Sequence, residues 1–97
     1  MIVSVHREAD AELLAAAVYY AEHAGRPVAE SFLDEFDYAV SLLREYPRLG
    51  NLWRGRTRRF PLRRFPYSLV YYETGIRLRI VAVAHQSRKP GYWRGRA

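Results

Sequence analysis

The sequence contains no cysteine, a single lysine and no long apolar run among its 97 residues. Without cysteine it has no disulfide, no thiolate nucleophile and no thiolate metal ligand. With no cysteine and only three histidines, a structural zinc site is not expected. We expect neither a metal nor an organic cofactor. No apolar stretch approaches the roughly 20 residues of a membrane span, and residues 1–8 lack the basic-then-apolar order of a signal peptide. These absences predict a cytoplasmic protein without membrane contact.

Length and composition predict one globular domain over residues 1–97. A chain of this length fits a single domain. Its 49% hydrophobic and 27% charged residues are ordinary for a folded protein. The sequence has no internal repeat, low-complexity tract or linker that would divide it.

The charge is divided between the two halves of the chain. Residues 1–43 contain two basic and eight acidic side chains, whereas residues 44–97 contain fourteen basic and two acidic ones. Every cation except Lys89 is an arginine, the residue that pairs in a bidentate manner with phosphate or carboxylate. A GC-rich genome would also favour arginine over lysine, but it would not separate the two signs. The asymmetry therefore predicts a polyanionic partner for the basic half.

Two adjacent amphipathic helices are predicted in the acidic half. From Glu8 to about Ala24 the apolar residues recur at steps of three and four, and Gly25 is a natural C-terminal stop. A second helix is predicted from Pro27 to about Tyr46. The apolar positions are Ala9, Leu13, Ala16, Ala17, Tyr20 and Ala24 in the first helix, and Val28, Phe32, Phe36, Ala39, Val40 and Leu43 in the second. The short connection makes them an αα-hairpin.

Strand patterns flank the hairpin. Ile2–His6 is short and β-branched, and Thr57–Phe65 contains Pro61, which indicates an edge strand or a bulge. Tyr67–Glu73 is followed by a turn and by a last strand. In that last strand the residues predicted to face the core are Ile76, Leu78, Ile80, Ala82 and Ala84. The order β-α-α-β-β-β predicts an α+β domain, with the hairpin packed on one face of a small, mostly antiparallel sheet.

The stretch from Ala82 to Arg96 joins a strand end to a histidine, cations and two large aromatic residues. Cations contact phosphates or acidic side chains, and aromatic rings offer stacking surfaces. For Tyr92 and Trp93 two interpretations stay open: contact with a partner, or a clamp that holds the last residues on the sheet. His85 is either a general acid–base group or a structural side chain.

Several motifs together resemble a known family. They are Tyr19-Tyr20, Phe32-Leu33 with Phe36, Pro47-Arg48-Leu49-Gly50, Phe65-Pro66-Tyr67-Ser68-Leu69-Val70-Tyr71, and Ala82-Val83-Ala84-His85 with Arg88, Pro90, Tyr92-Trp93 and Arg96. In this order the chain resembles the RelE/ParE superfamily of bacterial toxins from type II toxin–antitoxin modules, often called plasmid stabilisation proteins. The resemblance covers nearly the whole chain, and its most specific part is the pattern His-x-x-Arg-x-Pro-x-Tyr-Trp.

The superfamily has two branches with different activities. RelE-like members cleave messenger RNA in the ribosome, and the resemblance implies that they use basic residues of the sheet with a C-terminal tyrosine. ParE-like members poison DNA gyrase and are not nucleases. Here Ser68 and Gln86 stand where the RNase branch carries arginines, and Pro61 replaces a basic residue on the preceding strand. Because loss of one donor aimed at developing charge costs about 10²–10³ in rate, these departures favour the ParE-like branch.

The resemblance to the ParE-like branch implies a toxin that inhibits DNA gyrase and DNA replication, with no catalytic residue of its own. The residues expected to contact gyrase are His85, Arg88, Lys89, Tyr92, Trp93 and Arg94. The alternative is a ribosome-dependent mRNA endonuclease that acts through Tyr92, Arg59, Arg63 and His85. A third possibility is a degenerate, non-toxic member that retains only antitoxin binding.

A free toxin would harm its host, so the resemblance also implies a cognate acidic antitoxin, ParD-like or similar, and a hetero-oligomer with it. An acidic amphipathic segment would lie along the hairpin, reach the arginine-bearing sheet and become ordered on binding. The arginines expected to receive it are Arg63, Arg77 and Arg79. We expect no sequence-specific DNA binding by this chain, because the sequence has no helix-turn-helix, zinc finger or arginine-rich helix.

Overall fold

The computed structural model describes residues 1–97, and its elements follow the predicted order with one addition. The elements are β1 (Ile2–Val5), α1 (Arg7–Ala24), α2 (Arg26–Glu45), β2 (Asn51–Leu52), β3 (Arg58–Pro61), β4 (Tyr67–Thr74) and β5 (Arg77–His85). The addition is β2, which is too short to show any periodicity in the sequence. Neither helix has the length and hydropathy of a membrane span.

The helical hairpin turns at Gly25. Its φ of 95° lies in the left-handed region that favours glycine. Helix α1 begins after His6, whose Nδ1 accepts the Glu8 N–H at 3.1 Å. Helix α2 has Pro27 in its first turn, where the missing N–H of proline leaves no hydrogen bond unmade. One glycine therefore ends the first helix and allows the second to start at the next residue.

The strands form one mixed sheet in the order β1-β5-β4-β3-β2. β1 runs parallel to β5, and the other neighbours are antiparallel. The two helices cover one face, and the core between them and the sheet contains Ala9, Leu13, Ala16, Phe32, Phe36, Ala39, Leu43, Leu62, Leu69, Tyr71, Leu78, Ile80 and Val83. The predicted α+β fold, with the hairpin on one face of a mostly antiparallel sheet, is confirmed.

Strand β5 contains a bulge. Tyr71 of β4 pairs with Ile80, but the preceding residue, Val70, pairs with Ala82. Val81 is therefore an extra residue without its own partner on β4, as in a β-bulge. An extra residue in one strand reverses the faces of all residues that follow it.

The bulge corrects the prediction for the second half of this strand. Up to Ile80 the alternation holds, but beyond it Val83 packs in the helix-facing core, whereas Ala82 and Ala84 face the other side of the sheet. Ala82 and Ala84 are buried as predicted, but in the second cluster with Trp93 and not in the core beneath the helices. At the start of the strand, Ile76 is 67% exposed at the turn, because it precedes the paired residues.

The loop between α2 and β2 is held by Tyr71, which is fully buried. The Tyr71 hydroxyl donates to the Pro47 carbonyl at 2.8 Å and accepts the Gly50 N–H at 2.9 Å. Burial raises the pKa of Tyr71, so the hydroxyl keeps its proton as a donor. A methyl group on Gly50 would lie 2.8 Å from the same oxygen, so this close approach requires glycine.

Candidate functional site

The sheet face opposite the helices is covered by the end of the chain. After β5, residues 86–97 fold into consecutive tight turns, with positive φ angles at Gly91 (86°) and Gly95 (88°). Trp93 is only 4% exposed. It packs on this face with Val70, Val81, Ala82 and Ala84. The packing of Trp93 is that of a clamp, one of the two interpretations that the sequence left open.

A second tryptophan joins Trp93 from the connection between β2 and β3. The rings of Trp53 and Trp93 have centroids 5.0 Å apart, and Tyr92 meets Trp93 edge to face at 5.5 Å. Sequence reasoning missed Trp53, because nothing local in its segment indicates contact with a residue forty positions away. We call this side of the sheet, with residues 51–59 and 86–97 that cover it, the basic face.

The tail is tied to helix α1 through Glu12. Its carboxylate accepts two hydrogen bonds from the Arg96 guanidinium, at 3.0 and 3.1 Å, and one from the Tyr92 hydroxyl at 2.8 Å. Arg96 also approaches Glu8 at 3.6 Å, and its side chain is 11% exposed. Charge-assisted and bidentate bonds of this kind are the strong ones in proteins. The last turn of the chain is therefore fixed to the helix that follows β1.

The ion pair of Glu12 and Arg96 also makes hydrogen bonds with the edge of β5. Strand β1 stops at Val5, so the second half of β5 has no strand beside it on that side. There the Val83 N–H donates to Glu12 at 3.0 Å, and the Arg96 guanidinium donates to the Val81 carbonyl at 3.0 Å. An unpaired buried backbone group costs about 1–3 kcal/mol. The ion pair therefore satisfies two backbone groups that would otherwise need a neighbouring strand. Sequence reasoning missed Glu12, whose partners lie more than 70 residues along the chain.

Tyr92 has a perturbed hydroxyl. Burial raises its pKa, and the hydrogen bond and charge of Glu12 raise it further, against the opposing charges of Arg96 and Arg88. The hydroxyl is thus a protonated donor to a carboxylate. It is not free to donate a proton elsewhere while Glu12 holds it.

His85 ends β5 at half-buried depth. Its Nδ1 accepts the Ser87 N–H at 3.0 Å and lies 2.7 Å from the Ser87 hydroxyl. Its ring meets Tyr67 edge to face at 5.0 Å. These contacts fix the ring and start the first turn of the tail.

A small cavity of about 140 Å³ gathers several predicted site residues: Arg59, His85, Arg88, Tyr92 and Trp93. Ser68 and Gln86, which replace arginines of the RNase branch, line the same cavity. Of the residues named for the endonuclease alternative, Arg59, His85 and Tyr92 therefore meet, and Arg63 does not. Of the residues expected to contact gyrase, Arg88, Lys89 and Arg94 are exposed, His85 and Tyr92 are half-buried and Trp93 is buried.

The three arginines expected to receive the antitoxin are not in one place. Arg63 follows β3 and lines a groove beside α2. Arg77 and Arg79 lie in the first half of β5, at the opposite end of the sheet, and Arg79 donates to the Ala97 carbonyl at 2.9 Å. A partner that contacts all three must extend along the sheet.

Four arginines pair with carboxylates of the chain: Arg26, Arg48, Arg64 and Arg96. No carboxylate pairs with the cations that the two covering segments bring to the basic face, which are Arg54, Arg56, Arg59, Arg88, Lys89 and Arg94. Neither segment contains an acidic residue. The carboxylates that reach the basic face are therefore Glu12 and Glu8 of α1, which pair with Arg96 at its border.

The family model of the ParE toxin of the type II toxin–antitoxin system parDE matches residues 3–90. The chain belongs to the ParE toxin family. The fold agrees, because a chain of the chromosomal ParDE toxin–antitoxin system from P. aeruginosa is similar with a TM-score of 0.77, at 22% identity, over 88% of this chain and 95% of that one. At that identity the likeness shows the fold. No curated protein matches the chain.

The ParE-like branch predicted from the sequence is confirmed, and the chain is a ParE toxin of a type II toxin–antitoxin system. The matched residues end at Pro90. Tyr92, Trp93 and Arg96 lie beyond them, so their roles in this ParE chain depend on the contacts described above. Those contacts make the tail an integral layer of the domain.

Proposed function

We propose that this ParE chain acts on DNA gyrase in the cytoplasm through its C-terminal tail and is neutralised there by an acidic antitoxin. The observation that carries the proposal is an ordered tail whose exposed cations have no carboxylate partner. Arg88, Lys89 and Arg94 are exposed on turns held by the buried Trp93 and by the Arg96–Glu12 pair. A rigid projection loses little conformational entropy on binding, which favours a tight contact.

The residues expected to contact gyrase divide into two roles under this proposal. Arg88, Lys89 and Arg94 touch the target, with His85 and Tyr92 at the border of the contact. Trp93 acts through the others, since it is buried and fixes the turn that carries them. In this division Arg88 is partly preorganised, because its guanidinium stacks 3.9 Å above the Tyr92 ring.

Two observations favour this target over cleavage of mRNA. The hydroxyl of Tyr92 donates to Glu12 at 2.8 Å, so the tyrosine is not poised for proton transfer to a ribose or a leaving group. The cavity around it contains Ser68 and Gln86 in place of arginine donors. Stabilisation of a developing phosphorane charge needs such donors in fixed positions.

The antitoxin part of the proposal is supported by apolar surface on the hairpin. Leu14, Val18, Tyr19 and Tyr38 are each more than half exposed. A groove of about 430 Å³ beside α2 has an apolar lining that includes Tyr38, Phe60 and Leu62. Its charged residues are Arg63, Arg64, Asp34 and Glu35, and Glu35 already pairs with Arg64. An amphipathic acidic segment would place apolar side chains in such a groove and a carboxylate against Arg63.

The test uses purified gyrase, relaxed plasmid and ATP. We expect the wild-type chain to inhibit supercoiling and to trap cleaved plasmid. Replacement of Arg88, Lys89 and Arg94 together by Gln should raise the concentration needed by about tenfold or more, because charged contacts to the target are lost. Replacement of Arg7, Arg26 and Arg44 by Gln removes the same charge from the helices and should leave inhibition unchanged.

Other outcomes separate the alternatives. Unaffected supercoiling at saturating wild-type chain would reject gyrase as the target. Cleavage of ribosome-bound transcripts at the A-site, slowed by Tyr92→Phe, would establish the endonuclease instead. Expression of the chain alone without growth arrest or filamentation would identify a degenerate member that only binds antitoxin.

A further inference from the structure

Three aromatic rings of the basic face are each covered by an arginine. The Arg56 guanidinium lies 3.9 Å from the centroid of Tyr72, Arg59 lies 4.8 Å from Trp53, and Arg88 lies 3.9 Å from Tyr92. A guanidinium above an aromatic ring keeps its in-plane N–H groups free for bidentate pairing with an anion. Three separate elements, the β2–β3 connection, β3 and the tail, thus present oriented donors on one side.

A fourth and a fifth arginine converge beside these stacks. A methyl group placed on Gly91 would lie 3.2 Å from Arg94 Nε and 3.5 Å from Arg54 Cδ. Both arginine side chains therefore pass directly beside Gly91. An open cavity of about 380 Å³ there is lined by Arg54, Arg56, Arg94 and Arg96 together with Tyr72 and Trp93. Of the four arginines only Arg96 has a carboxylate partner. Like charges gathered without compensation repel one another and attract anions.

We propose that Arg54, Arg56 and Arg59 form a binding site for the phosphodiester backbone of duplex DNA, read without sequence preference. This inference goes beyond the proposed action on gyrase and does not depend on it. Arg59 lies over Trp53, which directly follows β2, and Arg56 lies over Tyr72 of β4, so the site extends across about two strand spacings of 4.8 Å, roughly 10 Å. Each strand of duplex DNA presents a phosphate about every 3.4 Å along its axis, so more than one phosphate is within reach.

The stacks also decide between kinds of polyanion. Binding of single strands uses open aromatic faces on which bases stack, and here guanidiniums occupy the faces of Tyr72, Trp53 and Tyr92. A protein partner would anchor on exposed apolar side chains, and at this site Arg56 and Arg59 cover the rings of Tyr72 and Trp53. Contacts to phosphates need neither open aromatic faces nor exposed apolar side chains, so the arrangement favours the backbone of a duplex.

The experiment is fluorescence anisotropy with a labelled 24-base-pair duplex and the full-length chain, from 50 to 200 mM salt. We expect the logarithm of the binding constant to fall linearly with the logarithm of salt concentration, with the same slope for two unrelated sequences. Replacement of Arg54, Arg56 and Arg59 by Gln should reduce the slope by about 2 to 3, since each lost phosphate contact removes about 0.9. Arg54→Gln alone, which disturbs no aromatic stack, should reduce it by about 1.

The matched control is the helix variant with Arg7, Arg26 and Arg44 replaced by Gln, which should keep the wild-type slope. An equal loss in both triple variants would mean that net charge alone attracts the duplex, and the site would be rejected. Unchanged binding with a lower melting temperature in the arginine-face variant would make the stacks a packing feature only. Displacement of the duplex by ATP or by poly-glutamate at equal charge, as effective as unlabelled duplex, would also overturn the proposal.

Discussion

Glu35 is a single carboxylate that ties the turn after β3 to helix α2. Its Oε2 accepts the N–H groups of Arg63 at 2.5 Å and Arg64 at 3.2 Å, and its Oε1 accepts Arg64 Nε at 3.0 Å. Burial alone would raise the pKa of Glu35, but these hydrogen bonds and the charge of Arg64 lower it below its ordinary value. The ionised form is therefore stabilised by folding.

This lowered pKa predicts a pH-dependent contribution to stability. Glu35→Gln should reduce the free energy of unfolding at pH 7 by about 1–2 kcal/mol, because hydrogen bonds to a charged acceptor are weakened. The stabilisation is complete above the unfolded pKa, about 4.3, and is lost as the pH falls through the lower folded value. Urea unfolding from pH 7 to 3 should show the difference shrinking below about pH 4. Asp34→Asn, next to it but without an ion pair, is the control, and a difference that stayed constant with pH would contradict this account.

Among the elements, the tail depends most on one contact, the one with α1. Glu12→Ala would leave Arg96, 11% exposed, with only its longer contact to Glu8 and the Val83 N–H without an acceptor. We expect a loss of about 2–3 kcal/mol, somewhat less than for a fully buried ion pair, and faster amide exchange in residues 91–97. Tyr92→Phe, which removes one hydrogen bond, should cost about 1 kcal/mol.

Glu22→Ala gives the comparison for this prediction, because Glu22 is on the exposed side of the same helix. Tryptophan fluorescence reports the tail directly, since Trp53 and Trp93 are the two tryptophans and are in contact. Equal stability and equal exchange in the two variants would mean that Trp93 alone holds the tail.

The helices and strands were largely predictable, whereas the contacts between segments far apart in the sequence were not. The Gly25 break and the stripe with Phe32 and Phe36 are local patterns, and local patterns set helices. The extra residue Val81 cannot be recognised in a run that is apolar on both faces of the strand, so the alternation did not show that Ala82 and Ala84 pack on the side away from the helices. The pairing of Glu12 with the tail joins distant segments, and residue spacing carries no information about it.

At the scale of the whole molecule, the two signs of charge lie on different layers. The acidic residues are mostly on the hairpin and the unpaired arginines mostly on the sheet and tail. Pro61, Ser68 and Ala84 are in register at one end of the sheet, and Thr74 and Arg77 at the other. At about 3.3 Å per residue along a strand, the seven steps from Arg77 to Ala84 span about 23 Å. An antitoxin segment that reaches both Arg63 and Arg77 must cover that distance.

Salt should therefore weaken association with the acidic antitoxin. The charged contacts at the two ends of the sheet should contribute to this effect separately. The Debye length falls from about 10 Å at 0.1 M to about 3 Å at 1 M, so charge pairing across the interface is screened. We expect Arg63→Gln and the pair Arg77→Gln with Arg79→Gln each to lower the affinity and flatten its salt dependence. The two effects should add, because sites more than about 10 Å apart couple weakly. Titration calorimetry at low and high salt measures both, with the Arg7, Arg26 and Arg44 variant as the charge control. An affinity that did not change across this range would place the antitoxin on the apolar hairpin surface alone.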